Sequence, residues 1–429
     1  MPTRTLAEWL RWQESLSPHA VELGLERVGA VLERLDLEPP AGRVVTVAGT
    51  NGKGTTVTLL QDMLLAADRR PGLYTSPHLV HYNERIRICG APVSDAGLVR
   101  AFERIEAVRG DVPLTYFEFG TLAAFSCFAE AHCDTWILEV GLGGRLDAVN
   151  VLAADLALIT TIGLDHQDWL GETVEEIAAE KAGIMRPGRP AVYADQPVPA
   201  AIRNHAAETG TPLAVLGSDF SYHTTSEKLA DGLRSWSWQG AAAGGIGGLK
   251  APQYWSAAQY RDASLVLAAL SVLEPALLAE LAALNAVFAH SRPDGRFQQV
   301  CATHEWILDV AHNPQAATVL RAQLETLPSA AATTFVTTLL ADKAVTPFVA
   351  VLAPIATRWI VAGIDDPRAS SSERMCAGMA AAGIDDFEYA ATPEAAFRLA
   401  ERLTPPTGRI VVCGSFRIVA PALQWLGLY

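Results

Sequence analysis

The chain reads as an α/β protein in two parts, a larger one with a mostly parallel sheet and a smaller Rossmann-like one. Three observations predict this. Short apolar runs alternate with helical patterns, the order that gives a parallel sheet with helices on both faces. A glycine-rich turn, Gly49-Thr50-Asn51-Gly52-Lys53-Gly54-Thr55, joins a β-prone run to an apolar helical pattern, which marks the larger part as a P-loop ATPase domain. The polar stretch His290-Ser-Arg-Pro-Asp-Gly295 then interrupts the alternation before it restarts. The expected boundaries are 1–290, a linker at 291–295, and a C-terminal domain at 296–429.

The first buried strand is expected at 44–48, where Val-Val-Thr-Val-Ala is β-branched and apolar. Runs at 72–75, 135–140, 155–160, 190–194 and 212–216 have the same character. Helical patterns lie between them, at 92–108, 118–132 and 173–183. The segment 218–250 breaks the rhythm with Ser235-Trp236-Ser237-Trp238 and a Gly/Ala cluster at 240–248. It reads as a hairpin and loop excursion. Helices at 256–273 and 275–289 complete the larger part. In the smaller part, strands are expected near 296–309, 333–337, 357–361 and 409–413. Helices are expected near 314–325, 345–354, 370–382, 393–403 and 417–427.

Of the 429 residues, half are hydrophobic and 19% charged, enough for sizeable cores. The net charge of −14, with no basic run, argues against a nucleic-acid partner. The cysteines Cys89, Cys127, Cys133, Cys301, Cys376 and Cys413 include no C-x-x-C pair and read as reduced, buried thiols. The N-terminus reads as an amphipathic helix rather than a signal peptide, and no run approaches the ~20 apolar residues of a membrane span. The expectation is a cytoplasmic protein with no membrane partner.

The turn at 49–55 aims backbone N–H groups and a helix N-terminus at a bound anion. Lys53 supplies a point charge to the outer phosphates of a nucleoside triphosphate, and Thr55 or Thr56 a hydroxyl near Mg²⁺. The strict Walker pattern is not met: Val47 stands where it has Gly, and Gly54 separates Lys53 from Thr55.

Ligands in open α/β sheets bind at strand C-terminal ends, so polar residues there matter most. Glu139 ends one apolar run, Asp165 and His166 follow another, and Ser76 follows a third. Hydroxyl, carboxylate and imidazole beside a phosphate loop can ligate divalent cations, with phosphate oxygens completing the shell. Taken singly, each has a plainer reading as a loop charge, a cap or a core histidine. Lys181, at the end of a helical pattern, reads from spacing alone as a lysine favoured there by the macrodipole. In the second domain Asp309 ends a strand, and Asn313-Pro314 reads as a helix cap. Capping does not explain Asp309 or His312.

Together these segments resemble the bifunctional dihydrofolate synthase/folylpolyglutamate synthase family of the Mur-ligase superfamily. The motifs begin with Leu23-Gly-Leu-Glu-Arg27, the 49–55 turn, Ser76-Pro-His-Leu79 and Tyr116-Phe-Glu-Phe-Gly-Thr121. Leu138-Glu-Val-Gly-Leu-Gly-Gly-Arg-Leu-Asp147, Leu164-Asp-His166 and Glu180-Lys-Ala-Gly-Ile184 follow. Gly295-Arg-Phe297, Asp309-Val-Ala-His-Asn-Pro314 and Cys413-Gly-Ser-Phe416 complete the set, which runs in the family's order over nearly the whole chain.

The resemblance implies an ATP-dependent amide ligase that adds L-glutamate to dihydropteroate and to reduced folates through an acyl phosphate. It implies two Mg²⁺ ions, one on Ser76 and Glu139 and the other on His166, and a carbamylated Lys181 as a carboxylate-like metal ligand. Lys53, His166, Lys181 and His312 would serve the chemistry. ATP would meet Thr50, Asn51, Gly52, Lys53, Gly54 and Thr55, with Arg296 and Asp309 from the second domain. Glu22, Leu23, Gly24 and Leu25, then Thr115, Tyr116, Phe117 and Glu118, then Leu146, Asp147 and Ala148 match the dihydropteroate segments. His312 and Ser415 match positions associated with glutamate. The partners implied are small molecules only, and the protein is expected to be a monomer.

Two positions depart from the family pattern. Asp262 stands where an Asn commonly contacts ATP, keeping the acceptor and losing the amide donor. Arg417 stands where a His often follows the Gly-Ser-Phe turn. Two other readings compete. A Mur-type peptide ligase shares the P-loop and mechanism but not the segments at 23–27 and 116–121. A nucleotide switch without ligase chemistry would be favoured by an Asn-Lys-x-Asp segment, which the chain lacks.

Overall fold

The computed structural model describes residues 4–17, 22–38, 42–240 and 244–429. Helices α1 (Leu6–Glu14) and α2 (Glu26–Leu35) lead into β1 (Arg43–Ala48), α3 (Lys53–Ala66) and β2 (Pro71–Tyr74). Next come β3 (Ile86–Ile88), β4 (Ala91–Pro92), α4 (Asp95–Arg109), α5 (Tyr116–Glu130) and β5 (Thr135–Glu139). They are followed by β6 (Leu156–Ile159), α6 (Gln167–Leu170), α7 (Val174–Ala182), β7 (Ala191–Tyr193), α8 (Ala200–Thr209) and β8 (Leu213–Val215). The sheet order is β4-β3-β2-β5-β1-β6-β7-β8. Pairing is parallel from β2 through β8, and β3 and β4 add antiparallel at one edge. The glycine-rich turn therefore leaves a central strand buried over nearly its whole length, as the apolar run required.

The excursion at 218–250 differs from expectation. It forms a three-stranded antiparallel sheet of β9 (Phe220–Lys228), β10 (Arg234–Gly240) and β11 (Gly244–Ala251). Trp236 and Trp238 are both buried, and Trp236 packs edge-on against Tyr260 and Phe288 at 5.5 and 5.3 Å. Burial of alternate aromatics outweighs the loop-like composition. Residues 241–243 of the Gly/Ala cluster, and residues 1–3 of the N-terminal helical pattern, lie outside the described residues. Helix α9 (Ala257–Leu273) follows, and the pattern at 275–289 divides into a 3₁₀ turn (Pro275–Ala279) and α10 (Leu281–His290).

The chain separates into two compact units, the second comprising residues 79–81, 253–258 and 292–429. The short outlying segments are held by apolar contact: Leu79 and Val80 pack on one core of this unit, and Tyr254 stacks on Phe297 at 5.3 Å. The run at 296–309 is a pair of antiparallel strands, β12 (Gln298–Cys301) and β13 (Glu305–Leu308). Then follow α11 (Pro314–Leu324), β14 (Thr333–Thr337), α12 (Val345–Leu352), β15 (Arg358–Ala362) and α13 (Ser372–Ala381). The edge strand β16 (Glu388–Ala390) had no sequence signal; α14 (Pro393–Leu403), β17 (Arg409–Cys413) and α15 (Phe416–Trp425) complete the unit. The order is β12-β13-β17-β14-β15-β16, parallel from β13 onward.

All six cysteines are free; Cys127, Cys133 and Cys413 are buried, Cys89 and Cys376 are half-buried, and Cys301 is exposed, unlike the buried thiols expected. No helix among the described residues is long and apolar enough to cross a membrane.

Candidate functional site

The loop after β1 is held from β6. Thr50 N–H donates to Thr161 O at 2.7 Å, and Thr50 Oγ1 accepts Gly163 N–H at 3.0 Å. Asn51 O accepts the Thr160 and Thr161 hydroxyls at 2.6 and 3.2 Å. Gly49 has φ 149°, and a Cβ there would lie 1.8 Å from Thr160 Oγ1, so no other residue fits. Gly52 has φ 91° and starts α3, placing Lys53 in the first turn. Lys53 Nζ donates to Gly49 O at 2.9 Å and Thr50 O at 3.3 Å. Of the two candidate hydroxyls, Thr56 is fully buried and Thr55 is not, so Thr55 is the accessible one. Asp262, on α9, is buried against this loop: a Cβ on Gly52 would meet its carboxylate oxygens at 2.7 and 2.9 Å.

Neighbouring strand ends supply further groups. Glu139, buried at the end of β5, accepts the Thr75 hydroxyl through Oε2, and Ser76 N–H at 3.4 Å. The loop that follows is shaped by Asp147. Its Oδ2 accepts Gly141 and Leu142 N–H at 3.0 and 2.9 Å, and its Oδ1 accepts Val149 N–H at 3.0 Å. Burial pushes the Asp147 carboxyl up to about 6, opposed by those hydrogen bonds and by Lys53.

Lys181 is not a surface lysine satisfied by a helix dipole. It is 4% exposed, and its Nζ lies 3.5 Å from Gly143 O. Burial, aided by the charge of Lys53, brings its amine down to about 7. A Cβ on Gly144 would sit 2.7 Å from Glu180 O and 3.0 Å from Lys181 Cα, so α7 rests directly on the loop backbone. Asp165 also acts electrostatically on Lys181. His166 has φ 50° at the start of α6, is exposed, and makes no side-chain cap.

The segments matched to dihydropteroate converge. Arg27 Nη1 donates to Glu22 Oε1 at 2.6 Å, while Nη2 donates to Glu118 Oε1 at 3.0 Å and to Glu22 O at 3.0 Å. Glu118 is buried and caps its own helix by accepting Thr115 N–H at 2.7 Å. Gly24 N–H donates to Leu146 O at 3.2 Å, bringing residues 22–25 to Leu146, Asp147 and Ala148. Tyr116 meets Tyr82 at 5.7 Å, and Arg85 lies over both rings. Phe117 packs near Tyr74 at 5.8 Å. Leu23 and Leu25 are partly buried beside them in sequence.

In the second unit, Asp309 follows β13. Its Oδ2 accepts Phe297 N–H and its Oδ1 accepts Ala311 N–H, both at 2.8 Å. Burial raises its carboxyl above the usual range, opposed by those bonds and by Arg296. His312 Nδ1–H donates to Val310 O at 2.8 Å, which fixes the tautomer because a carbonyl only accepts. Ser415 caps α15, accepting Arg417 N–H at 3.1 Å, and Gly414 before it has φ 112°. Each unit thus gathers its own candidates at the C-terminal ends of its parallel strands.

Among the described residues no group of three or more His, Cys, Asp and Glu side chains gathers as a metal site. A site of one or two such donors, completed by phosphate oxygens, leaves no such group. Arg27, Thr160 and Thr161 had no role from sequence, because hydroxyls and an arginine reaching 91 residues along the chain carry no local pattern.

The Mur ligase middle domain profile matches residues 47–231, and the Mur ligase glutamate ligase domain profile matches residues 295–416. Fold, loop and profiles define a Mur ligase. A dihydrofolate synthase/folylpolyglutamate synthase of Escherichia coli is 39% identical over 421 residues, covering 98% of this chain and 95% of that protein. A structure of E. coli FolC in complex with DHPP and ADP superposes with a TM-score of 0.90 at 36% identity, covering 99% of this chain and 98% of that one. A bifunctional folylpolyglutamate synthase/dihydrofolate synthase with Mn, AMPPNP and L-glutamate bound gives 0.88 at 39% identity, covering 99% and 98%. The chain belongs to the dihydrofolate synthase/folylpolyglutamate synthase family.

Proposed function

We propose that this chain joins L-glutamate to dihydropteroate, giving dihydrofolate, and to reduced folates, lengthening their glutamate tails, at the expense of ATP. The carboxylate of the acid substrate attacks the γ-phosphate, and ADP leaves. The amine of glutamate then attacks the acyl phosphate carbon. The bond to phosphate breaks, a proton is lost, and an amide remains. Transfer between anions is chiefly a matter of positioning and charge neutralisation. The observation that carries this reading is the meeting, in one unit, of the Lys53 turn, the Glu139 strand end and a buried Lys181 within electrostatic reach of Lys53.

The residues fit the groups the reaction needs. Gly52 to Thr55 would offer the backbone N–H groups of a helix start, and Lys53 an ammonium, to a triphosphate, with Thr50 and Asn51 beside it, and Asp262 lies against the same turn. Arg296 and Asp309, in the second unit, match the family's ATP positions there. Ser76 and Glu139 would hold one Mg²⁺; His166, with a carbamylated Lys181, would hold the other. Bound Mg²⁺ supplies charge neutralisation and alignment of the transferred phosphoryl group. Carbamylation needs a neutral amine to attack CO₂ and lose a proton, and the depressed Lys181 amine provides one near neutral pH. The Arg27–Glu118 clamp and the Gly24–Leu146 bond would hold the pterin acid's segments together. His312 and Ser415 would meet glutamate. The reading includes a cytoplasmic monomer, whose mass in solution light scattering would check.

The decisive assay is phosphate release with ATP and glutamate, offering dihydropteroate, tetrahydrofolate and a cell-wall precursor in turn. Turnover is expected with the first two and only when acid and amine are both present. Turnover with the cell-wall precursor alone would favour a peptide ligase. Hydrolysis needing neither substrate would favour a switch.

A further inference from the structure

Arg417 sits in the first turn of α15, where a cation faces the positive end of the helix dipole. The helix gains nothing from it there. Asp366 offsets the charge: its Oδ2 lies 2.7 Å from Arg417 Nε. Asp366 Oδ1 lies 3.5 Å from Arg368 Nε and accepts Arg368 N–H at 2.8 Å. One carboxylate on a nearly buried side chain, 8% exposed, thus braces two arginine side chains that are 52% and 64% exposed. Both arginines meet it through Nε. Among the described residues, the terminal amino groups of neither one make a hydrogen bond to the protein.

The position of this pair is set by the sheet. β17 runs into Ser415 and Arg417, β15 runs towards Asp366 and Arg368, and β14 lies between them. The turn after β14 is tied to the arginine loop, since Ala341 N–H donates to Arg368 O at 2.8 Å and Ser370 N–H to Leu339 O at 2.9 Å. Gly414 packs against Thr338, joining the turns after β14 and β17. His312, after β13, has its ring 6.3 Å from Phe416. The paired forks therefore lie at the ligand-binding end of the parallel strands, beside Ser415.

We propose that Arg368 and Arg417, braced by Asp366, bind the side-chain carboxylate of the incoming dicarboxylic amino acid and set the preference for glutamate over its neutral side-chain analogues. This rests on the amide-ligase reading above. A guanidinium fork matches a carboxylate bidentately. Glutamate brings two carboxylates, and neither is consumed when its amine reacts. The α-carboxylates of a folate's glutamate tail share this chemistry, so the test separates the two sources.

Steady-state phosphate release would be measured for wild type, Arg368→Gln, Arg417→Gln, the double variant and Arg417→Lys, with dihydropteroate and, in a second series, a polyglutamylated folate as the acid. Each glutamine variant is expected to raise the KM for glutamate roughly tenfold to a hundredfold, the scale of a lost charge-assisted contact. The KM values for ATP and dihydropteroate should stay within about twofold, as for loss of a contact to one substrate. Preference for L-glutamate over L-glutamine should fall by the same factor, and Arg417→Lys should be intermediate. An unchanged glutamate KM in the double variant would overturn the proposal. So would equal shifts for all three substrates, which mark general loosening, or a shift seen only with polyglutamylated folate, which marks the tail. Wild type that releases phosphate without needing an amine would instead overturn the ligase reading, and this assignment with it.

Discussion

Lys53 and Lys181 are the same side chain in the same unit, yet their surroundings give them different uses. Lys53 begins a helix out of a glycine turn, and two carbonyls of that turn receive its ammonium. Lys181 ends a helix whose last turn is pressed onto the 141–151 loop, with one long contact to Gly143 O. A ring of backbone dipoles presents a lysine as a charge. Burial, sharpened by a second lysine nearby, makes the amine available as a nucleophile. The first arrangement is local in sequence; the second is assembled from segments some 40 residues apart, such as Gly143 and Lys181.

The contrast is tested hardest at Lys181. Lys181→Ala should lower turnover by about a hundredfold or more, the scale of removing a preorganised electrostatic group. Short carboxylic acids should restore part of it by occupying the vacated site, and ATP binding should change less than turnover. Activity close to wild type without added acid would remove the distinction between the two lysines. Lys53→Ala should cost roughly 1.5–3 kcal/mol, as for a charge-assisted hydrogen bond, and no carboxylic acid should rescue it. Both ligase activities should fall together in Lys53→Ala, since one turn serves both. Loss of one activity alone would break the shared-site reading.

The pH dependence of stability sharpens the comparison further. In the folded state the Lys181 amine lies near 7, below its ordinary value of 10.5. Between those values the unfolded chain binds more protons, so this group makes stability rise with pH across that window. Below about pH 7 both states are protonated, and the trend ends. Lys181→Met should flatten the trend, narrowing the difference in Tm between pH 7 and 9 by roughly a few degrees for a chain of this size, in bicarbonate-free buffer. An identical pH profile in the variant would mean the amine is not desolvated. The smallest effect is expected at Asp262, whose carboxylate lies against Gly52. Asp262→Asn should keep or improve ATP affinity by about 1 kcal/mol at most, one net hydrogen bond, read as the KM for ATP. If neither Asp262→Asn nor Asp262→Ala moves it, the residue is not a nucleotide contact.

The alternation of apolar runs and helical patterns was enough to read the parallel sheets, because each buried strand carries its signal locally. The glycine turn was legible for the same reason: Gly49 and Gly52 occupy backbone conformations that few other residues adopt. At 220–251 a hairpin was legible but its extension to a packed three-stranded sheet was not, because Trp236 packs against Tyr260 and Phe288, partners outside the segment. Nor were the Arg27–Glu118 clamp, the depressed amine of Lys181, or the bracing of Arg368 and Arg417 by one carboxylate. By itself, the sequence determined which residue types stand at the strand ends and which turn can cradle phosphate. Only the tertiary structure decided their burial, charge state and neighbours, since desolvation and ion pairing depend on what packs around a group rather than on what precedes it in the chain.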